Sequence, residues 1–204
     1  MNDMKIVLAS NNKNKIRELH AILSEKLGGE VEILSLGDIG FTGDIVEDGE
    51  TFEANAQIKA RAVSALGYIG VGDDSGLSVD ALDGAPGIYS ARFAGDHDDE
   101  KNNDKLLREL ENVTDRGAAF VCCIACSFPS EMGISDFTVR GEARGVITRE
   151  RSGKGGFGYD PLFYVPKIGR TFAQMSEDEK NSISHRGVAL ALFAEKIKEI
   201  YGDK

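Results

Sequence analysis

Two adjacent aspartates, Asp73 and Asp74, close the short apolar run Tyr68–Val71, and no other feature so narrows what this 204-residue chain can become. A run of that length reads as a buried strand, and Ser75-Gly76 then reads as a sharp turn before the apolar Leu77 and Val79 resume. Two carboxylates confined at a strand end repel each other. A cation, a raised pKa or divergence of the side chains relieves that repulsion, and a hard divalent metal is the leading account. The plainer alternative is an aspartate-rich turn that caps the next element through side-chain to backbone hydrogen bonds. The whole stretch Gly72–Gly95, GDDSGLSVDALDGAPGIYSARFAG, gathers carboxylates, turn residues and an arginine, and is where chemistry is expected.

Upstream, Lys5–Ala9 reads as a strand ended by Ser10-Asn11-Asn12. Ile16, Leu19, Ile22, Leu23 and Leu27 recur at three- and four-residue spacing, so a helix follows, with Gly28-Gly29 as its stop. A strand, a polar turn and a helix opening with Lys13 and Lys15 make an anion site, since free N–H groups and the positive helix end face the ligand. Phosphate is the obvious anion; alternatively SNN only caps the helix and the lysines are solvated. Val31–Leu36 reads as a second strand and Glu47–Glu50 as an acidic turn. Thr51–Leu66 is alanine-rich and helical, and places Asn55 and Lys59 on one face, four residues apart. Glu47 is a candidate second metal carboxylate, although most acidic turns are merely solvated.

Downstream, Lys101–Glu111 reads as an amphipathic helix with Leu106, Leu107 and Leu110 inward, followed by strands over Ala118–Phe128 and Phe137–Thr148. Gly153–Gly158, GKGGFG, matches a dinucleotide fingerprint by letter but leads into Tyr159-Asp160-Pro161 and the apolar Leu162–Val165 instead of a helix. Such a loop still lets backbone approach a ligand, and its aromatics can stack on a base. The last element begins around Ser176–Ser184 and runs through His185-Arg186 into a helix with Leu190, Leu192, Phe193 and Ile197 for packing. Its start reads as basic, so Lys180, His185 and Arg186 would gain from a nearby anion. His97, in an acidic loop, and His20 read as exposed and unliganded.

Hydrophobic residues make up 41% and charged residues 28%, ordinary for a folded chain, while the net charge of −10 argues against tracking along nucleic acid. The N-terminus lacks a secretory pattern and no segment is long enough to span a bilayer, so a cytoplasmic place is expected. Cys122, Cys123 and Cys126 lie in a strand-like apolar run without a second ligand pair for zinc, and read as buried reduced thiols. Strands and helices alternate early and the later half is richer in strand. The expectation is therefore a single α/β domain over residues 1–204 with a mixed sheet.

Five motifs fall in order along the chain: SNNKNK, EDGETFEANAQIKA, the GDDSG stretch above, GGFGYDPLF and SHRG. Together they strongly resemble the inosine triphosphate pyrophosphatase family over nearly the whole chain. The resemblance implies an elongated α/β fold with helices flanking a mixed sheet, two lobes with a central cleft, and a cytosolic homodimer. It implies a Mg²⁺-dependent enzyme that hydrolyses ITP, dITP and XTP to the monophosphate and pyrophosphate. By the same resemblance Ser10, Asn11, Asn12, Lys13, Asn14 and Lys15 form the triphosphate-gripping turn, with Asn11 where many members carry glycine. Glu47 and Asp74 look like the magnesium carboxylates, and Asp74 like the general base. Lys59 looks like a phosphate neighbour and Ser75 like a substrate contact. Phe157, Gly158, Tyr159 and Asp160 resemble the base-binding loop, and Lys180, His185 and Arg186 the residues that recognise the purine and its 6-oxo group. The alternative from another class is a nucleotide-binding sensor without catalysis.

Overall fold

A computed structural model describes residues 5–27, 31–95 and 98–201, without the side chain of Asn14. The chain runs β1 (Lys5–Leu8), α1 (Lys13–Leu27), β2 (Glu32–Leu34), α2 (Phe52–Ser64), β3 (Ile69–Val79), α3 (Asp99–Glu109), β4 (Gly117–Ser127) and β5 (Phe137–Ile147). It ends with β6 (Phe163–Val165), β7 (Arg170–Thr171), α4 (Glu177–Ile183) and α5 (His185–Tyr201). The strands form one sheet in the order β2-β1-β3-β4-β5-β6-β7. β1 pairs parallel with β2 and β3, whereas β6 pairs antiparallel with β5 and β7, so the sheet is mixed as expected. Parallel neighbours need a crossover, and α1 supplies it between β1 and β2. The stop expected at Gly28-Gly29 and the reading of His97 lie outside the described residues. Among the described residues no helix is long and apolar enough to cross a membrane.

Two compact units share the chain: Met1–Asp74, Cys122–Gly141 and Ala189–Lys204 in the first, Ser75–Val121 and Glu142–Val188 in the second. Each has its own core. Ile6, Leu19, Leu23, Val71, Ile124 and Phe193 close the first, and Leu77, Leu106, Leu110, Phe120, Phe163 and Phe172 the second.

Inside the first unit, α2 lies with its backbone almost on β3. A Cβ at Gly70 would stand 2.1 Å from the Ala60 carbonyl oxygen, and one at Gly72 would stand 2.0 Å from that of Ala56. Glycine in a strand here marks close approach of another backbone rather than a turn. This corrects the expectation at Ser75-Gly76: β3 runs unbroken from Ile69 to Val79, and the chain reverses only beyond it, where Gly84 N–H donates to the Val79 carbonyl. The acidic turn expected at Glu47–Glu50 is instead an irregular segment with a bend at Glu50.

The C-terminal expectation also needs correction. Ser184 is extended, with φ −72° and ψ 152°, and divides α4 from α5. Acids, Glu177, Asp178 and Glu179, fill the first turn of α4, while Lys180 sits in its last turn and so complements the helix dipole there. Only His185 and Arg186 open a helix, α5. Leu192, expected to pack, is 40% exposed.

Because Gly72 admits no side chain, Gly72→Ala should destabilise the protein by about 1–3 kcal/mol, as overpacking does. Urea unfolding measures it, and an unchanged midpoint would show that α2 and β3 are not packed so closely.

Candidate functional site

In the first unit the turn after β1 is built from side chains that serve backbone. Ser10 Oγ accepts from Asn12 N–H at 3.1 Å, and Asn12 Oδ1 accepts from Lys15 N–H at 3.3 Å, which caps α1. Asn11 Oδ1 accepts from Gly37 N–H at 2.9 Å. Lys13 is exposed, and the side chain of Asn14 lies outside the described part. Lys15 turns to β3, where its ammonium pairs with the carboxylate of Asp73. That carboxylate also accepts from the Cys122 thiol at 3.6 Å.

Successive side chains on a strand point to opposite faces, so Asp73 and Asp74 diverge and each finds its own lysine. Lys59 Nζ donates to Asp74 Oδ1 at 3.2 Å and to Glu47 Oε2 at 2.8 Å, so two carboxylates meet on one ammonium. Asn55, one turn earlier on α2, donates to Asp74 Oδ2 at 3.3 Å, while its own Oδ1 accepts from Gly49 N–H at 2.9 Å. Asn55 thereby ties the segment that carries Glu47 to the helix that carries Lys59. Both α2 residues are buried, as the strand-on-helix packing requires. Burial raises the Asp74 pKa above the usual aspartate range, with Glu47 adding repulsion and Lys59 and Asn55 opposing.

Among the described residues no group of three or more His, Cys, Asp or Glu could hold a metal ion. The donor set is two carboxylates converging on one positive charge. That set fits Mg²⁺, which is held by one or two carboxylates and completes its shell with water and substrate phosphate.

In the second unit, the loop after Gly153 closes on Asp160. Asp160 Oδ2 accepts from Phe157 N–H at 2.9 Å and from Lys180 Nζ at 2.5 Å. Lys180 also lies 4.5 Å from the centroid of Phe157, whose ring is 71% exposed. Burial pushes the Asp160 carboxyl up and Lys180 counters it. Tyr159 is buried, and its hydroxyl donates to the Ser90 carbonyl at 2.8 Å. His185 stacks on Phe120 with ring centroids 4.9 Å apart and 14° between planes, and Arg186 follows it. Ser75 Oγ is buried with no hydrogen-bond partner among the described residues.

Residues outside the expected set hold this loop. Asp99 and Asn103, on α3, both bond Gly158, and the sequence pattern assigns neither a role. Asp73 had been recognised as an acid but not as the partner of Lys15. Nothing local marks either role, because the partners lie more than fifty residues away.

A sequence profile of the Ham1 family matches residues 6–196. A dITP/XTP pyrophosphatase of Desulforamulus reducens is 50% identical over 203 residues, covering 97% of this chain and 98% of that protein. One of Leuconostoc mesenteroides subsp. mesenteroides is 47% identical over 199 residues, covering 95% and 96%. Among solved structures, the Staphylococcus aureus Ham1 protein superposes with a TM-score of 0.89 at 42% identity, covering 98% of this chain and all of that one (100%). The nucleoside-triphosphatase, dITP/XTP pyrophosphatase, of Mycobacterium abscessus gives 0.80 at 42%, covering 93% and 98%.

Cys122, which meets this chemistry through Asp73, is buried and unbridged, as are Cys123 and Cys126, and burial, with Glu53 beside Cys123, drives the thiols of Cys123 and Cys126 far above their ordinary range. The native protein should therefore leave a chromogenic disulfide reagent at neutral pH almost unconsumed, and all three thiols should react at once in guanidinium. Rapid native reaction would contradict this burial.

Proposed function

The chain belongs to the Ham1 family, and from that premise we propose that it hydrolyses ITP, dITP and XTP to the nucleoside monophosphate and pyrophosphate, clearing them from the nucleotide pool. The single observation that carries the reading is the meeting of Glu47 and Asp74 on Lys59, beside a strand whose other aspartate holds Lys15. Lysines next to a two-carboxylate cation seat are what phosphoanhydride cleavage needs.

Glu47 and Asp74 would hold Mg²⁺, which when bound supplies Lewis-acid neutralisation of the phosphate oxygens. Lys15 and Lys59 place positive charge against the triphosphate, and the capped turn of Ser10 to Asn12 presents the N-terminus of α1 to it. Asp74 takes the proton of a water as that water's oxygen bonds to the α-phosphorus. The bond from the α-phosphorus to the bridging oxygen breaks, and pyrophosphate leaves with both electrons.

The loop of Phe157 would take the base. Phe157 offers an exposed face on which a purine stacks, a contact worth about 1–3 kcal/mol per base. Lys180, His185 and Arg186 would supply donors to a 6-oxo group, and an amino substituent set against those donors would lose binding energy. On the family resemblance alone, the protein is further proposed to act as a cytoplasmic homodimer.

Asp74→Asn should lower turnover of ITP by about 10²–10⁴-fold at saturating Mg²⁺, the usual worth of a positioned base. Glu47→Gln should instead raise the Mg²⁺ concentration needed for half-maximal activity. A panel of purine triphosphates, with pyrophosphate distinguished from orthophosphate, checks the rest. ITP should release pyrophosphate with Mg²⁺ and not with chelator, and should exceed GTP in kcat/KM. Tight binding of ITP without pyrophosphate release would make the protein a sensor, and equal kcat/KM for the two would remove the proposed selectivity.

A further inference from the structure

Gly158 sits at the tip of the loop that presents Phe157, and its backbone is held from both sides by one helix. Its N–H donates to Asp99 Oδ2 at 2.8 Å, and its carbonyl accepts from Asn103 Nδ2 at 2.8 Å. Asp99 is the first residue of α3 and Asn103 follows one turn later, so both reach the same side. Asn103 is almost fully buried and also donates to the Asp99 carbonyl at 2.7 Å, which fixes its own rotamer. A residue with φ +59°, as Gly158 has, is held by few side-chain contacts of its own: nothing lies within 4 Å of where its Cβ would be. The two hydrogen bonds therefore set the loop tip.

The neighbouring anchors are of a different kind. Tyr159 is fixed by Ser90, whose hydroxyl accepts from Leu77 N–H at 2.8 Å, and Asp160 fixes Phe157 N–H. With residues 157, 159 and 160 tied elsewhere, Gly158 is the point at which α3 can tune the loop. A highly exposed aromatic on a rigid backbone is a pre-organised stacking surface, because little ordering entropy is lost when a base lands on it.

We infer that Asp99 and Asn103 are positioning residues for substrate selectivity, acting on the base through Gly158 and Phe157 without touching it. The inference rests on the reading of this loop as the base-recognition element. It adds two residues to the selectivity machinery that no motif in the sequence indicates.

Asp99→Ala and Asp99→Asn separate this role from helix electrostatics. Both remove the charge at the start of α3, but only the asparagine keeps an oxygen that can accept from Gly158 N–H. Asp99→Ala should lower the ITP over GTP ratio of kcat/KM about five- to tenfold, the worth of one positioning hydrogen bond, mainly by raising KM for ITP. Asp99→Asn should restore most of the ratio. Asn103→Ala should act in the same direction, and the double variant Asp99→Ala/Asn103→Ala should lose less than the two effects multiplied, since both act on one glycine. Inhibition by inorganic tripolyphosphate, which has no base, should be the same in all variants.

If Asp99→Ala folds with the wild-type ratio, or if Asp99→Asn fares no better than alanine, the inference is overturned while the hydrolase reading stands. If tripolyphosphate inhibition weakens in step with selectivity, the residues are only structural and the inference again falls. A wild type without preference for ITP would overturn the function reading and this inference together.

Discussion

One ammonium group, that of Lys59, stands between Glu47 and Asp74, and the arrangement of the first unit follows from the need to keep it there. Lysine is rarely buried, and a buried charge without a partner costs several kcal/mol. Here the charge is matched twice. The match depends on α2 lying against β3 so closely that Gly70 and Gly72 can carry no side chain, because only that approach brings Lys59 and Asn55 to the level of Asp74. Asn55 completes the arrangement by holding Gly49 and, through it, the segment of Glu47. Packing and electrostatics are thus one constraint: a bulkier strand would separate the charges, and unmatched charges would not tolerate the packing.

The second lysine shows how an acidic molecule can still attract a polyanion. With a net charge of −10, attraction cannot come from the molecule as a whole. It has to come from cations whose present partners can be exchanged. Lys15 is paired with buried Asp73 at the start of a helix, where a positive side chain is unfavourable without an anion. On the proposed reading a triphosphate competes with Asp73 for that ammonium, and a monophosphate, with less charge, competes less well. Resting stability and product release then draw on the same pair.

Much of this was legible in the chain. The three- and four-residue spacing of Leu19 and Leu23 marks α1, and the i, i+4 spacing of Asn55 and Lys59 puts both on one face, though it does not show that this face meets Asp74. β3 was harder, because Ser75-Gly76 after two aspartates carries the letters of a turn. What keeps the chain extended there is tertiary, as in the bond from Leu77 N–H to Ser90 Oγ, and lies elsewhere in sequence. The break at Ser184 has no glycine or proline to announce it, so α4 and α5 read as one element and Lys180 was assigned to the wrong end of a helix. Asp99 was invisible for a different reason. An aspartate at a helix start has a sufficient local explanation, and its bond to Gly158 is purely tertiary.

The residues proposed for base recognition also have a common electrostatic character that would bear on selectivity. Asp160 is an acidic residue in the midst of them, yet it is buried and one of its oxygens already accepts from Phe157 N–H and Lys180. Its charge serves to hold the loop and to orient the ammonium. On the proposed reading Lys180, His185 and Arg186 present a donor-rich set to the base. A purine 6-oxo group is an acceptor and matches such a set, whereas a 6-amino group places donor against donor and is repelled. On that reading a 2-amino group would be a milder case, with desolvation as its main penalty. Adenine would be refused by a donor meeting donors at position 6 and guanine by an unpaired 2-amino group, which would place the finer discrimination on the backbone that carries Phe157.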